Sequence, residues 1–176
     1  SSNNYRFLEV LKALKKLKKL DKNIRLIIAG NIEDQNYFEF NLMKMKLYNI
    51  VKFIGKYNQH EAPNIYQLAD AYITITYQDN CPSAVLEAMS CGLPILYSAS
   101  GGLPELVDKD CGIGLNVEEN WNQIKVPKTK SIIEGMERII EKRKIMSNFA
   151  RQRVLKNFDQ NQWILRHKII FEKYLK

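Results

Sequence analysis

The chain has 176 residues, a hydrophobic fraction of 45%, a charged fraction of 26% and a formal net charge of +8. That length suits one domain with a real core. No run of about 18 apolar residues is present, which excludes a transmembrane helix, and the polar, then lysine-rich start has no signal-peptide pattern.

The elements alternate between helix and strand. Tyr5 to Leu20 places Phe7, Leu11, Leu14, Leu17 and Leu20 on one face, with lysines between them, and predicts an amphipathic helix. Asp21 to Asn23 reads as a turn. Ile24 to Ala29 is a short apolar run closed by Gly30, as in a buried parallel strand. A second helix is expected over Asn36 to Tyr48, and a strand over Val51 to Ile54, closed by Gly55. Ala62 to Ala69 predicts a short helix with Pro63 in its first turn. Ala71 to Thr76 is β-branched and aromatic, and predicts a strand.

A polar loop, Tyr77 to Cys81, leads into a helix from Pro82 to Ser90, with Gly92 as its C-terminal cap. Leu93 to Tyr97 is the next strand, Gly101 and Gly102 a sharp loop, and Leu103 to Val107 a short helix. Gly112 to Val117 is the last strand. Beyond Lys128 the chain reads as helical, with a break near Asn157 to Asp159. This order predicts a Rossmann-like α/β fold, a parallel sheet of about five strands flanked by helices, in a single domain over residues 1–176. No internal repeat interrupts it. In open sheets of this kind ligands bind beyond the carboxyl ends of the strands. The loops after Ala29, Ile54, Thr76 and Tyr97 are therefore expected to share one rim.

The charge is uneven. Residues 1–25 carry eight basic and two acidic side chains, residues 26–124 five and twelve, and residues 125–176 fourteen and five. Basic ends can meet anionic lipid, nucleic acid or an anionic small molecule, or can be solvated helix faces. The Lys12 to Lys22 stretch lacks interleaved aromatics for stacking bases, which argues against nucleic acid. Cys81, Cys91 and Cys111 are odd in number and fit no zinc spacing, so free thiols are expected. His60 and His167 have no nearby ligand set.

Thr76 to Val107 carries the chemistry. The amides of Ser83, Ala84 and Val85 are expected to be unpaired at a helix start, which attracts phosphate. Asp79 and Glu87 can bracket one extended ligand, since a carboxylate accepts two hydrogen bonds from a vicinal diol. Gly101 and Gly102, and Gly30 after the first strand, allow close approach of the backbone to a ligand. Asp108 and Asp110 imitate a metal-binding Asp-x-Asp, but their position before Cys111 and Gly112 reads as a turn. No metal or cofactor is expected.

The run Glu87-Ala-Met-Ser-Cys-Gly-Leu-Pro94, followed by Gly101-Gly-Leu-Pro-Glu105, resembles the C-terminal, donor-binding domain of retaining GT-B glycosyltransferases of the class-four, or group 1, type. The family pattern has two acidic residues with seven between them, then Ala-Met, a small residue and Cys-Gly-x-Pro, then Gly-Gly-x-Pro-Glu. A wider likeness runs from Tyr5 to Val117. The resemblance implies that Glu87 binds the ribose, Asp79 the transferred sugar, and the backbone at Pro82, Ser83 and Ala84 the diphosphate. Lys56 and Tyr57 would lie beside the base, and Gly30 beside the phosphates. It implies a nucleotide-sugar donor, a saccharide or lipid-linked acceptor, retention of configuration without a metal, and a part in surface polysaccharide synthesis. It places the protein in the cytoplasm, with the cytoplasmic face of the membrane as a site of peripheral contact.

Two departures stand out. Asp79 replaces the usual glutamate and is shorter by one methylene. The family clamps the diphosphate with an arginine and a lysine; the strand carrying the arginine is expected to precede Ser1, no lysine sits at the expected place, and Arg6 is only a nearby substitute. An N-terminal acceptor domain and the first strand of this domain are expected to lie outside the chain, which would leave the isolated domain inactive. The alternatives are a GT-B-like nucleotide-sugar epimerase and a basic lipid- or nucleic-acid-binding module.

Overall fold

β-Branched runs that end in glycine become strands here, and the amphipathic runs between them become helices. The computed structural model describes residues 3–20 and 23–175, with side chains from Phe7 onward. The order is α1 (Asn3–Lys19), β1 (Leu26–Ala29), α2 (Gln35–Met45), β2 (Val51–Gly55), α3 (Ala62–Tyr66), β3 (Tyr72–Thr74) and α4 (Ser83–Ser90). Then follow β4 (Ile95–Ala99), α5 (Leu103–Leu106), β5 (Gly112–Asn116), α6 (Thr129–Asn157) and α7 (Gln160–Tyr174). The fold is α/β with parallel strands flanked by helices.

The five expected strands are present, but they form two ladders rather than one sheet. β1 pairs with β2, and β3, β4 and β5 pair in that order; every pairing is parallel. Helix α1 spans both ladders. Its Leu11 and Leu14 pack with Phe38, Leu42 and Leu47 over β1 and β2. Its Val10 and Ala13 pack with Ile75, Leu96 and Ile113 over the other ladder. Leu26 of β1 touches both groups. The apolar face of α1 is thus used in packing and is not free to lie on lipid: Val10, Leu11, Leu14 and Leu17 are buried. Lys12, Lys16, Lys18 and Lys19 remain exposed on the opposite side. The side chain of Arg6, the expected turn at Asp21 and the end of the basic stretch at Lys22 lie outside the described residues.

A second core forms on the other face of β3 and β4. Val85, Ala88 and Met89 of α4 pack there with Ile95, Tyr97, Leu103 and Val107. Helix α6 reaches both cores, through Ile132 and Ile139 at one end and Ala150 at the other. Gly135 lets α6 lie close on the sheet, since a Cβ there would stand 2.5 Å from Leu96 Cδ1. Among its described residues α7 buries none, and Trp163, Ile164, Ile170 and Phe171 stay exposed.

Arg153 of α6 ties α5 in place. Its Nε donates to the Leu106 carbonyl at 2.7 Å, Nη2 to the Glu105 carbonyl at 2.7 Å, and Nη1 to Asp108 Oδ2 at 2.7 Å. Asp108 Oδ1 accepts the amides of Asp110 and Cys111, so the Asp-Lys-Asp sequence forms a turn. Burial would raise the Asp108 pKa, but the Cys111 thiol, the Arg153 charge and the two amides outweigh it and hold it below the ordinary value.

A carboxyl whose folded pKa is lowered stabilises the fold fully above its unfolded pKa, and loses that contribution as pH falls through the folded value. Urea unfolding should therefore show stability falling below about pH 4. Arg153→Met should lower stability at neutral pH and shrink the acid loss owed to Asp108. A difference between the two proteins that does not change with pH would contradict this.

Candidate functional site

Because every strand pairing is parallel, the loops that follow the strands leave from one end of each ladder. Gly30 and Gly55 close β1 and β2 with φ of 114° and 83°, and the Gly30 amide donates to the Gly55 carbonyl at 2.8 Å. A Cβ at either glycine would meet nothing within 4 Å, so the space beside them is open. Lys56 is exposed directly after Gly55, and Tyr57 is half-buried against the α4 core.

Gly101 and Gly102 have a different neighbour from the one the sequence suggested. A Cβ on Gly101 would stand 2.5 Å from the Asp79 carbonyl oxygen, and one on Gly102 would stand 1.9 Å from that of Asn80. Their close approach is to the loop that carries Asp79. The Gly102 amide donates to the Asp79 carbonyl at 3.0 Å, and the Gln78 amide donates to Ser100 Oγ at 3.2 Å. Two backbone loops are therefore pressed together, and the Asp79 carboxylate stands half-buried beside them.

Pro82 lies one residue earlier than expected. It is the N-cap of α4, in extended geometry, rather than the first helical residue. Its carbonyl accepts the Val85 amide at 3.0 Å, so Val85 is not an open donor. Proline has no N–H, which leaves Ser83 and Ala84 as the amides the helix start can present. Among the described residues no side chain caps them.

Glu87 lies one turn into α4, half-buried. Tyr66 of α3 donates from its hydroxyl to Glu87 Oε2 at 3.1 Å and approaches the Ala84 carbonyl at 3.3 Å. The Tyr66 and Tyr72 rings meet edge to face, with centroids 5.9 Å apart. Burial first, then Tyr57 and the charges of Glu87 and Asp79, push Tyr72 up to about 12. One tyrosine thus feels both acids and Tyr57. Glu87 and the α4 start lie on one helix, Tyr57 packs against the core beneath it, and Asp79 stands in the loop that leads into that helix.

Sequence reasoning missed Tyr66 and Tyr77. The inward spacing of Ala62 and Tyr66 on α3 could have marked Tyr66 as core, but not its partner 21 residues away. Tyr77 donates from its hydroxyl to the Asn120 carbonyl at 3.0 Å and so ties the loop after β5 to the rim. Two cavities of about 550 and 510 Å³ lie elsewhere, one lined by Tyr97, Asp108 and Arg138, the other by Asp70, Cys91 and Arg143. Neither includes Asp79 or Glu87. Among the described residues, no group of three or more His, Cys, Asp or Glu side chains is placed to hold a metal ion. The three cysteines are free.

Comparison with known proteins places the chain as a whole beside known families. The family described as Glycosyl transferases group 1 matches residues 2–153. An uncharacterized glycosyltransferase of Methanocaldococcus jannaschii is 30% identical over 158 residues, which are 88% of this chain and 38% of that protein. Among solved structures, HepE of Anabaena in complex with UDP-glucose matches with a TM-score of 0.69 at 19% identity, over 86% of this chain and 40% of the other. The C-terminal domain of a group 1 family glycosyl transferase of Francisella tularensis matches with a TM-score of 0.69 at 18% identity, over 88% of this chain and 80% of that one. The chain spans 28% and 38% of the two Methanocaldococcus jannaschii relatives it matches.

Gly102→Ala should force the Gln78–Asn80 loop outward. Overpacking of this kind costs about 1–3 kcal/mol. A thermal melt should fall by several degrees; an unchanged melting temperature would show that the two loops are not in the contact described.

Proposed function

The chain belongs to the group 1 glycosyl transferases, and from that premise we propose that it is the donor-binding half of an enzyme with a GT-B fold. The reaction moves a hexose from a nucleotide-sugar to a saccharide or lipid-linked acceptor, with retention of configuration. The observation that carries this reading is that Glu87 and the uncapped start of α4 share one helix, with Asp79 in the loop that leads into it. The UDP-glucose bound to HepE, a protein of similar fold, supports a sugar nucleotide as the ligand.

Each residue has a chemical task in this reading. Glu87 accepts hydrogen bonds from the ribose hydroxyls, and Asp79 from hydroxyls of the transferred sugar. The Ser83 and Ala84 amides, at the positive end of the α4 dipole, hold the diphosphate. As the sugar–phosphate bond breaks, negative charge grows on the departing diphosphate, and donors already aimed there stabilise it. Lys56 and Tyr57 flank the base. Gly30, with open space at its α-carbon, passes beside the phosphates, and Gly101 and Gly102 fix the Asp79 loop.

The rest of the enzyme supplies the acceptor side and the other wall of the groove. A strand ahead of α1 would lie between β1 and β3 and join the two ladders, since α1 already packs across both. Such a strand, crossing through α1 to β1, would form a βαβ unit, for which the right hand is the rule. We place the enzyme in the cytoplasm, in surface polysaccharide synthesis, with no metal in the transfer step.

Calorimetry against UDP-, GDP- and ADP-sugars should reveal weak binding of one class, without turnover by the 176-residue chain. Glu87→Ala should abolish that binding, because the ribose hydroxyls lose their acceptor. Turnover by this chain alone, or undiminished binding by the variant, would contradict the reading.

A further inference from the structure

Glu87 is a poor reader of a diol if it is left to itself. A glutamate on a half-exposed helix face samples many rotamers, and each must be frozen when a ligand binds. The structure removes that freedom from below. Tyr66 is only 7% exposed, and its ring is held edge-on by Tyr72 at 5.9 Å between centroids. Its hydroxyl reaches Glu87 Oε2 at 3.1 Å. The same oxygen lies 3.3 Å from the Ala84 carbonyl, one of the first residues of α4. A single buried hydroxyl therefore touches both the carboxylate and the helix turn that carries the proposed phosphate donors.

We propose that Tyr66 is a positioning residue that holds the Glu87 carboxylate in one orientation for the vicinal hydroxyls of a ribose, and so sets the preference of the site for ribonucleotides. This deepens the donor-site reading and rests on it. A phenol that donates to a carboxylate makes a charge-assisted bond, stronger than a neutral one. One Glu87 oxygen is anchored by that bond, and the other keeps its lone pairs for a ligand. The phenol must stay protonated to do this. Burial first, then Tyr72 and the Glu87 charge, raise the Tyr66 pKa well above its ordinary value, so it remains a donor throughout the neutral range.

The test compares two probes, UDP and 2′,3′-dideoxy-UDP, titrated calorimetrically into the same protein. Wild type should prefer UDP. Tyr66→Phe keeps the buried ring and its contact with Tyr72, so it should fold, with a melt within a few degrees of wild type. It should weaken UDP by about tenfold, the scale of one hydrogen bond to a charged group, and leave dideoxy-UDP unchanged. In a Glu87→Gln background the further change Tyr66→Phe should alter UDP affinity by less than about twofold, since the two residues act as a unit.

Equal weakening of both probes by Tyr66→Phe would mean a general structural role and would overturn the proposal. So would an unchanged preference for UDP in that variant, or full additivity with Glu87→Gln. If wild type binds UDP but does not distinguish it from the dideoxy probe, the assignment of Glu87 to the ribose fails, and this proposal falls with it. If Glu87→Gln erases the preference and Tyr66→Phe does not, only the role of Tyr66 fails.

Discussion

The candidate site depends on a contact between two stretches of backbone. The Gly101–Gly102 turn presses on the Gln78–Asn80 loop so tightly that no Cβ fits at Gly102, and the Gly102 amide bonds to the Asp79 carbonyl. This contact links the end of β4 to the loop that leads from β3 into α4. It fixes where Asp79 stands, and it sets the point at which the chain turns into the helix. Arg153 supports it from behind by holding the carbonyls at the other end of the short helix α5. Glycine is required here by space, and at Gly101 also by a φ of 60°.

Around that fixed point the electrostatics divide. The start of α4 offers amide donors and the positive end of a helix dipole. Asp79 and Glu87 offer only acceptors when ionised. An anion alone would be drawn to the first and repelled by the second. A neutral sugar would use the acids but not the amides. A molecule with a charged diphosphate between two hydroxyl-bearing rings would satisfy both, which is why a sugar nucleotide is the proposed donor. The tyrosines beneath Glu87 supply the buried half of the site: Tyr66 bonds to it, and Tyr72 feels both acids.

The sequence was most legible where one residue type has one physical use. Glycine after an apolar run marked the ends of β1 and β2, and both turned out to need positive φ. Leu11, Leu14 and Leu17 marked the buried face of α1, whereas Leu20, also expected on that face, lies just past the helix end and is exposed. Boundaries were less legible. β4 was expected at Leu93 to Tyr97 and forms at Ile95–Ala99, because Pro94 has no N–H to donate and the ladder begins where Ile95 meets Gly112. α2 stops at Met45 rather than Tyr48, because Lys46 turns left-handed, at φ 58°. Pairing across long separations was not legible at all. Nothing local to Gly102 names Asn80 as its neighbour, and nothing local to Tyr66 names Glu87. The division of the strands into two ladders is likewise a matter of which edges meet, and a periodic pattern does not report that.

The central claim is that the open amides of α4 and the acid one turn along it face the same ligand. The most direct measurement is an amide-resolved NMR titration of the ¹⁵N-labelled chain with UDP. The account predicts that the largest shift changes fall on the Ser83 and Ala84 amides, with Glu87 and Gly30 moving in the same titration at one common affinity. Shift changes that bypass the start of α4, or that gather around the cavity at Tyr97 and Arg138 instead, would contradict it.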